Sequence, residues 1–202
     1  MNRKQLDVWQ GPFGESYTER NVEDWTTRLP GLRAAVDALP IQRVLEVGCN
    51  RGHNLVAFSE LLGETAEVIG IEPNARARQI ARASSDRISV LAGNAFELPF
   101  KDRYFDLTFT AGVLIHISLA DLPKALSEIY RTSRRYILAM EYFAEEETEI
   151  PYRGGEDLLW KRNFLQHYLT QFPDLKLIRQ GFLSLEEGWD SVTWWLLEKP
   201  QT

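Results

Sequence analysis

Cysteine is nearly absent from the sequence. Cys49 is the only cysteine among 202 residues, which excludes an intrachain disulfide and a cysteine-rich metal site. It follows a glycine in a turn where a small side chain fits, and the sequence gives no reason to expect an activated thiolate. We expect Cys49 to be a packing residue, and we predict no metal ligands.

Long apolar runs are absent as well. No window approaches the roughly 20 apolar residues that span a bilayer. The polar residues at the amino end are followed by no apolar stretch of the kind found in a secretory signal. We therefore expect a cytoplasmic protein without a membrane partner.

Basic residues are fewer than acidic residues in the sequence. The formal net charge of −6 argues against a nucleic acid partner held on a broad basic surface. The same balance does not exclude a small anionic ligand. Among possible partners, the charge therefore favours small molecules over nucleic acids.

What the chain does contain is an alternation of apolar strands with amphipathic stretches. Hydrophobic residues make up 44% and charged residues 26%, as in a globular domain, and 202 residues suit one α/β domain. The alternation begins at Val44 and is typical of β-α-β crossovers around a mostly parallel sheet. Strands are predicted at Arg43–Val47, Val68–Glu72, Ile88–Leu91, Phe105–Thr110, Tyr136–Glu141, Leu175–Phe182 and Ser191–Glu198, and helices near His53–Leu62, Ala75–Ala83 and Leu119–Thr132.

The first strand runs into a glycine turn that opens a helix. Gly48 and Gly52 allow backbone angles that are closed to other residues, and Glu46 places a carboxylate just inside the strand's carboxyl end. A dinucleotide fingerprint needs glycine at the first, third and sixth positions, but Asn50 and His53 occupy the last two. The turn therefore indicates a cofactor site other than a dinucleotide loop.

Two further motifs follow the second and third strands. Glu72 ends the second strand, where an acidic side chain can accept hydrogen bonds from both ribose hydroxyls of a nucleoside. A helix-capping or surface carboxylate is the alternative, weakened because Pro73 and Asn74 already open the next helix. After the third strand comes the stretch Gly93-Asn94-Ala95-Phe96-Glu97-Leu98-Pro99-Phe100.

Together these segments resemble the motifs of class I S-adenosylmethionine-dependent methyltransferases. The form E-x-G-x-x-x-G is similar to their first motif, which wraps the methionine part of the cofactor, and the later stretch resembles their G-D-A motif. The resemblance implies the cofactor S-adenosyl-L-methionine and one Rossmann-like domain. That domain would have a seven-stranded, mostly parallel sheet with an antiparallel last strand and helices on both faces. The cofactor contacts that the resemblance implies are Glu46, Gly48, Asn50, Gly52, Asn54, Glu72, Pro73, Asn94, Ala95, Thr110 and Ala111.

Two positions depart from the family pattern. Asn50 stands where glycine is common, and Asn94 stands where an acidic residue bonds the adenine amino group. An amide carbonyl can still accept that hydrogen bond. We predict an enzyme, a methyltransferase. A catalytically inactive, cofactor-binding partner subunit is the alternative that tolerates both departures.

Candidate catalytic residues stand at the carboxyl edge of the predicted sheet, where ligands of such folds bind. His116 suits a general base, since histidine titrates near neutral pH, and bonding of loop backbone is its alternative role. Glu141 and Tyr142 leave the fifth strand and are also candidates; their alternative is packing at the strand end and a surface carboxylate.

Aromatic residues recur in the amino-terminal segment. Trp9, Phe13 and Tyr17 are spaced four residues apart, and any long helix there would be interrupted by Gly11, Pro12 and Gly14. Such a segment must dock, either as a helix packed on the sheet or as a flap over the cofactor. From the resemblance, we expect Tyr17, Arg20 and Asn21 to close over the amino acid end of the cofactor.

A later segment sets basic residues around a glycine pair. Tyr152, Arg153, Lys161 and Arg162 are predicted to bind an anionic substrate, because the basic residues frame Gly154-Gly155 and a helix start whose amides favour anions. A plain helix with a solvated basic face is the alternative. With residues 9–21, this segment resembles the methylases associated with pseudaminic acid biosynthesis. That resemblance implies a nonulosonic acid or surface-sugar pathway and a nucleotide-activated or phosphorylated sugar as acceptor.

The chain is predicted to be one domain, residues 1–202. We expect an N-terminal helical cap at 1–40, a cofactor-binding core at 41–141, and a substrate-side lid with the final strands at 142–202. Trp194 and Trp195 would form a dimer surface if exposed, but alternation within a final strand more simply buries one of them and packs the other under a helix. The oligomeric state stays open.

Overall fold

The structure of the protein is a computed structural model that describes residues 3–154 and 156–200. Gly155, half of the predicted glycine pair, lies outside the described residues. The strands are β1 (Arg43–Val47), β2 (Glu67–Glu72), β3 (Ser89–Ala92), β4 (Phe105–Ala111), β5 (Ser133–Glu141), β6 (Thr148–Glu149), β7 (Trp160–Lys161), β8 (Lys176–Leu183) and β9 (Val192–Glu198). The α-helices are α1 (Arg3–Gln10), α2 (Pro12–Arg20), α3 (Leu29–Val36), α4 (His53–Leu62), α5 (Ala75–Ser84), α6 (Leu122–Thr132) and α7 (Phe164–Gln171), with short 3₁₀ helices at Trp25–Arg28 and Leu114–His116.

Seven strands form one sheet in the order β3-β2-β1-β4-β5-β9-β8. The strands from β3 to β5 are parallel to one another, and β9 is antiparallel to both β5 and β8. The predicted sheet, mostly parallel with an antiparallel last strand, is confirmed. The strand order reverses between β1 and β4, which is where open α/β sheets place their ligand crevice.

Helices pack on both faces of the sheet. Phe58 of α4 and Trp194 belong to the core of one face, and Phe164 of α7 and Trp195 belong to the core of the other. The two tryptophans point to opposite faces, as alternation along a strand predicts, and both are buried because helices cover both faces. Within the described residues, no helix has the length and apolar content needed to cross a membrane.

Two predicted boundaries differ from the structure by three residues each. β5 begins at Ser133 rather than at Tyr136, because Ser133 pairs with Phe105 ahead of an irregularity in the ladder. α6 begins at Leu122 rather than at Leu119, and Pro123 occupies its first turn, where a missing N–H costs nothing. The polar residues at the start of β5 are not typical of a strand, and the apolar residues before α6 are typical of a helix. The sequence therefore predicts the strand start too late and the helix start too early.

The amino-terminal segment is a pair of helices broken at Gly11, as predicted. The expectation that Gly14 also breaks a helix is wrong, since Gly14 lies inside α2. A Cβ at that position would stand 1.9 Å from the carbonyl oxygen of Trp9, so glycine lets the two helices meet. Asn74 then ties the pair to the core, because its Nδ2 donates to that same carbonyl at 3.0 Å.

The segment after β5 differs from its prediction. Between Arg153 and Lys161 the described residues form turns and the short strand β7, which pairs with β6, and no helix. The helix starts later, at Phe164, where Asn163 Oδ1 accepts a hydrogen bond from Gln166 N at 3.1 Å. The basic residues therefore do not frame a helix N-terminus.

Candidate functional site

Two adjoining cavities open at the carboxyl edge of the sheet. Cavity A, of about 270 Å³, borders Glu46 and Tyr142, and cavity B, of about 140 Å³, borders Glu72 and Asn94. Six residues line both cavities: Tyr17, Gly48, Asn50, Ala111, Gly112 and His116. The two spaces therefore form one continuous site at the point where the strand order reverses.

The turn between β1 and α4 shapes the shared wall. Gly48 has a φ of +79°, and a Cβ on it would lie 2.6 Å from the side chain of Val113. Asn50 has a φ of +43°, which asparagine tolerates better than most residues. Its Oδ1 accepts a hydrogen bond from Thr18 Oγ1 at 3.0 Å. Asparagine therefore fits a position where the family pattern expects glycine.

Glu46 is buried and borders cavity A. Its Oε1 accepts a hydrogen bond from Asn54 Nδ2 at 2.7 Å, whereas Glu46 Oε2 and Asn54 Oδ1 have no hydrogen-bond partner among the described residues. Burial raises the pKa of Glu46 to about 8, against the opposing effect of the Asn54 bond. Two buried acceptor atoms suit a ligand group that carries N–H donors.

Glu72 ends β2 and lines cavity B. Its Oε2 accepts a hydrogen bond from Asn50 N at 2.9 Å, and its Oε1 accepts one from Asn74 N at 2.8 Å. Burial raises its pKa, although both backbone donors favour the charged form. The carboxylate is thereby fixed in place, and each oxygen keeps capacity for a further donor, such as one of two neighbouring hydroxyls.

Asn94 and Ala95 line cavity B together with Pro73. Asn94 Oδ1 accepts a hydrogen bond from Phe96 N at 2.8 Å, which fixes the amide plane. The carbonyl keeps its second lone pair for a ligand donor. Trp9 adds an aromatic wall from α1. Cavity B thus combines apolar walls with polar groups at two points.

His116 lies at the junction of the two cavities. Its Nδ1 stands 2.6 Å from the carbonyl oxygen of Leu158, and since a carbonyl only accepts, Nδ1 carries the proton and Nε2 does not. Burial lowers the pKa of His116 to about 4, so the ring is neutral at pH 7. The expected backbone bond is present, and it leaves Nε2 as a proton acceptor.

Glu141 and Tyr142 occupy different places. Glu141 is fully buried, and its two oxygens accept hydrogen bonds from Val113 N and Ile115 N, each at 3.3 Å. Burial raises the pKa of Glu141 to about 7. Of the two candidates only Tyr142 lines a cavity, because Glu141 is turned under the loop that precedes His116.

Residues from three segments that are far apart in the chain border cavity A, and together they are called its roof. Tyr17 comes from α2, Tyr152 and Arg153 come from the loop after β6, and Trp189 and Asp190 come from the loop between β8 and β9. The Arg153 guanidinium lies 5.8 Å from the centroid of the Tyr152 ring. Burial, and then the nearby Tyr152 and Asp190, raise the pKa of Tyr17 to about 12. Phenol groups and both signs of charge therefore converge on the outer part of cavity A.

Residues 44–135 match the family model described as the methyltransferase domain. The match covers 92 of the 202 residues, just under half of the chain. The matched residues run from β1 into β5 and include the glycine turn, Glu72 and Asn94. They do not include Tyr142 or the roof of cavity A, whose residues lie before β1 or after β5. The match thus bears on cavity B and the turn more than on the outer part of cavity A.

Two curated relatives are similar to part of this chain. A demethylmenaquinone methyltransferase of Lactiplantibacillus plantarum is 37% identical over 97 residues, which are 44% of this chain and 39% of the relative. An uncharacterised protein of Haemophilus influenzae is 31% identical over 117 residues, 52% of this chain and 47% of the relative. The chain thus spans less than half the length of these two relatives.

A solved structure shares the fold across the whole chain. It is the Burkholderia thailandensis 1,6-didemethyltoxoflavin-N1-methyltransferase with bound 1,6-didemethyltoxoflavin and S-adenosylhomocysteine. The TM-score is 0.76 at 16% identity, with 100% of this chain and 91% of that chain covered. This likeness supports the Rossmann-like methyltransferase fold on structural grounds.

Most of the predicted site residues border the two cavities. Those at a cavity are Tyr17, Asn21, Glu46, Gly48, Asn50, Asn54, Glu72, Pro73, Asn94, Ala95, Ala111, His116, Tyr142, Tyr152 and Arg153. Those that the structure does not bring to either cavity are Arg20, Gly52, Thr110, Glu141, Lys161 and Arg162.

The residues away from the cavities have identifiable places. Arg20 is exposed at the end of α2, and Gly52 precedes the first turn of α4. Thr110 is fully buried. Arg162 is 1% exposed, pairs with Glu147, and donates to the Ile117 carbonyl at 2.7 Å. The structure thus places the Arg162 guanidinium on protein partners and away from both cavities.

Sequence reasoning missed three basic residues at cavity A. Arg28 stacks on Trp189 at 4.4 Å from the ring centroid and pairs with Glu23, while Arg51 donates to the Thr18 carbonyl at 3.1 Å. Burial, and then both arginines, lower the pKa of His53 to about 4. Arg51 and His53 stand inside the glycine segment, so their position could have singled them out. Arg28 carries no local signal.

Proposed function

We propose that the protein is an S-adenosylmethionine-dependent methyltransferase. The observation that carries the proposal is a pair of buried carboxylates, Glu72 in cavity B and Glu46 in cavity A, on either side of the turn at Gly48. A nucleoside in cavity B with an amino acid group in cavity A would span that turn. The methyltransferase domain match and the S-adenosylhomocysteine in the similar Burkholderia structure support this cofactor.

The residues fit the cofactor group by group. Glu72 would accept hydrogen bonds from the ribose hydroxyls, and Asn94 would accept one from the adenine amino group. The partnerless acceptors Glu46 Oε2 and Asn54 Oδ1 would bind the ammonium group, and Arg28 would pair with the carboxylate. Further proposed contacts are Tyr17, Asn21, Gly48, Asn50, Pro73, Ala95 and Ala111.

Catalysis would depend mainly on positioning. When bound, the sulfonium of this cofactor supplies an electrophilic methyl group. The chain must hold the acceptor atom in line with that methyl group and exclude water, which the roof of cavity A would do. For a hydroxyl acceptor, His116 Nε2 would take the proton and Tyr142 would orient the group by hydrogen bonding. For an amine that has already lost its proton, positioning would suffice.

The acceptor in this proposal is a small anionic metabolite, such as a nucleotide-activated or phosphorylated sugar in surface-glycan (nonulosonic acid) biosynthesis. Arg51 and Arg153 at cavity A support a negative charge, and Tyr152 offers a ring against which a sugar can pack. The cap at 1–40 and the lid at 142–202 would enclose it above the core at 41–141. A cytoplasmic location and the absence of a nucleic acid partner remain predictions.

Calorimetric titration tests the cofactor. We expect S-adenosylmethionine and S-adenosylhomocysteine to bind and NAD not to bind. Glu72→Gln should weaken both sulfur nucleosides by about tenfold or more, since one acceptor oxygen is lost. Glu64→Ala, at an exposed glutamate beyond α4, is the matched control and should leave binding unchanged. NAD binding, or equal affinity in wild type and Glu72→Gln, would refute the assignment.

The anionic acceptor has a separate test. Glucose 1-phosphate serves as a phosphorylated-sugar probe, titrated into the complex with S-adenosylhomocysteine. Arg153→Ala should weaken the probe about tenfold, the usual scale for one lost charged hydrogen bond, and Lys161→Ala should not. No difference between the two variants would remove Arg153 from the acceptor site. Cofactor binding without methyl transfer to any acceptor would favour the inactive partner subunit.

A further inference from the structure

In the loop after β6, hydrogen bonds from other parts of the molecule fix the backbone conformation of one residue. Asp157 has a φ of +59°, in the left-handed region that few residues other than glycine, asparagine and aspartate adopt. Both polar groups of its backbone are held from outside the loop. Its N–H donates to Glu149 Oε1 at 2.7 Å, and its carbonyl accepts a hydrogen bond from Gln5 Nε2 at 3.0 Å. The turn is therefore fixed by two side chains.

Gln5 connects this turn to the rest of the site. It is 5% exposed in α1 and lines cavity B. Its Nε2 donates to Asp157, and its Oε1 accepts a hydrogen bond from Ser118 N at 3.2 Å. Exchanging the amide nitrogen and oxygen would set a donor against a donor and an acceptor against an acceptor. One buried amide thus joins the loop after His116 to the loop that carries Asp157.

The residue after Asp157 controls the ring of His116. The Leu158 carbonyl stands 2.6 Å from His116 Nδ1, so that nitrogen carries the proton. Free imidazole side chains favour the proton on the other nitrogen, Nε2. The observed tautomer therefore needs the Leu158 carbonyl to stay where the Asp157 turn points it.

We propose that Gln5 is a positioning residue that sets the tautomer of His116 by holding the turn at Asp157. With Nδ1 protonated, Nε2 of His116, a residue that lines both cavities, carries no proton. This step rests on the proposed function: an unprotonated Nε2 suits an acceptor whose reacting group carries a proton, as a hydroxyl or an N–H. Histidine in the other tautomer would present a donor to that group instead.

Nitrogen NMR of protein labelled with ¹⁵N-histidine tests the proposal in the free protein. The chain has only three histidines, and His53 and His167 are assigned by substitution. In wild type, His116 should give one species protonated at Nδ1. Gln5→Leu should lose that species in favour of the Nε2-protonated form. Gln10→Leu, an exposed position on the same helix, is the control and should match wild type.

A second variant keeps the test decisive if Gln5→Leu does not fold. Glu149 is exposed, and Glu149→Ala removes the other clamp on the Asp157 turn, so it should shift the tautomer in the same direction. An unchanged His116 spectrum in the folded variants would overturn the proposal. Because no ligand is present, this outcome is distinct from a failure of S-adenosylhomocysteine to bind, which would count against the proposed function alone.

Discussion

At the scale of single residues, the turn after β1 depends on a backbone angle that few side chains accept. Asn50, at a φ of +43°, also accepts the Thr18 bond. Asn50→Ala should lower the free energy of unfolding by about 1–2 kcal/mol, from strain and a lost bond. Asn50→Gly removes only the bond and should recover most of that loss. Urea unfolding measures both variants, and equal losses would contradict the account.

Binding of the ligand should change the protonation of Glu46. Burial holds its pKa at about 8, so at pH 7 the carboxyl is mostly protonated. A ligand ammonium at Oε2 would favour the charged form, lower the pKa and release up to about one proton. Calorimetry of S-adenosylhomocysteine binding in buffers of different ionisation enthalpy measures this release. Glu46→Gln should bind without it, and a wild-type heat that is the same in every buffer would refute the contact.

The neighbours Lys161 and Arg162 should behave differently on substitution. Arg162→Ala leaves the Ile117 carbonyl without its donor, which should cost about 1–3 kcal/mol of stability, the range for one unsatisfied buried polar group. Lys161→Ala should stay within about 0.5 kcal/mol of wild type. Thermal unfolding compares them. A loss under about 1 kcal/mol for Arg162→Ala would contradict a structural role.

At the scale of elements, α1 and α2 depend on close contact at Gly14. A Cβ there would stand 1.9 Å from the Trp9 carbonyl, so Gly14→Ala must push α1 away from cavity B. Overpacking of this kind costs about 1–3 kcal/mol, and the affinity for S-adenosylhomocysteine should fall with it. Ser16→Ala, at an exposed position on α2, is the control. Unchanged affinity in Gly14→Ala would show that α1 does not form the wall of a cofactor site.

Elements with a strong local pattern could be predicted from the sequence. Helix α4 has its predicted bounds, and Trp194 and Trp195 are buried on opposite faces, because apolar periodicity follows the local chain geometry. The two-residue strands β6 and β7 carry no such pattern. The sequence wrongly predicts a helix break at Gly14, because glycine disfavours a helix locally, whereas here a contact with another helix requires it.

At the scale of the whole molecule, one part of the candidate site could be predicted from the sequence and another part could not. The turn, Glu72 and Asn94 follow strands that the motifs mark, so their meeting at one edge could be predicted from parallel strand order. Arg28 and Trp189 come from segments far apart in the chain, and only folding brings them to cavity A. The basic residue Arg162, which looked suited to a ligand, is held by partners that no local pattern reveals.

A crystal structure of the protein with S-adenosylhomocysteine tests the central claim most directly. The account predicts the ribose hydroxyls at Glu72, the adenine beside Asn94, and the amino group at Glu46 Oε2, with the sulfur at the junction near His116. Density for the ligand elsewhere, or cavities A and B empty at saturating ligand, would contradict the assignment of these cavities as a methyltransferase site.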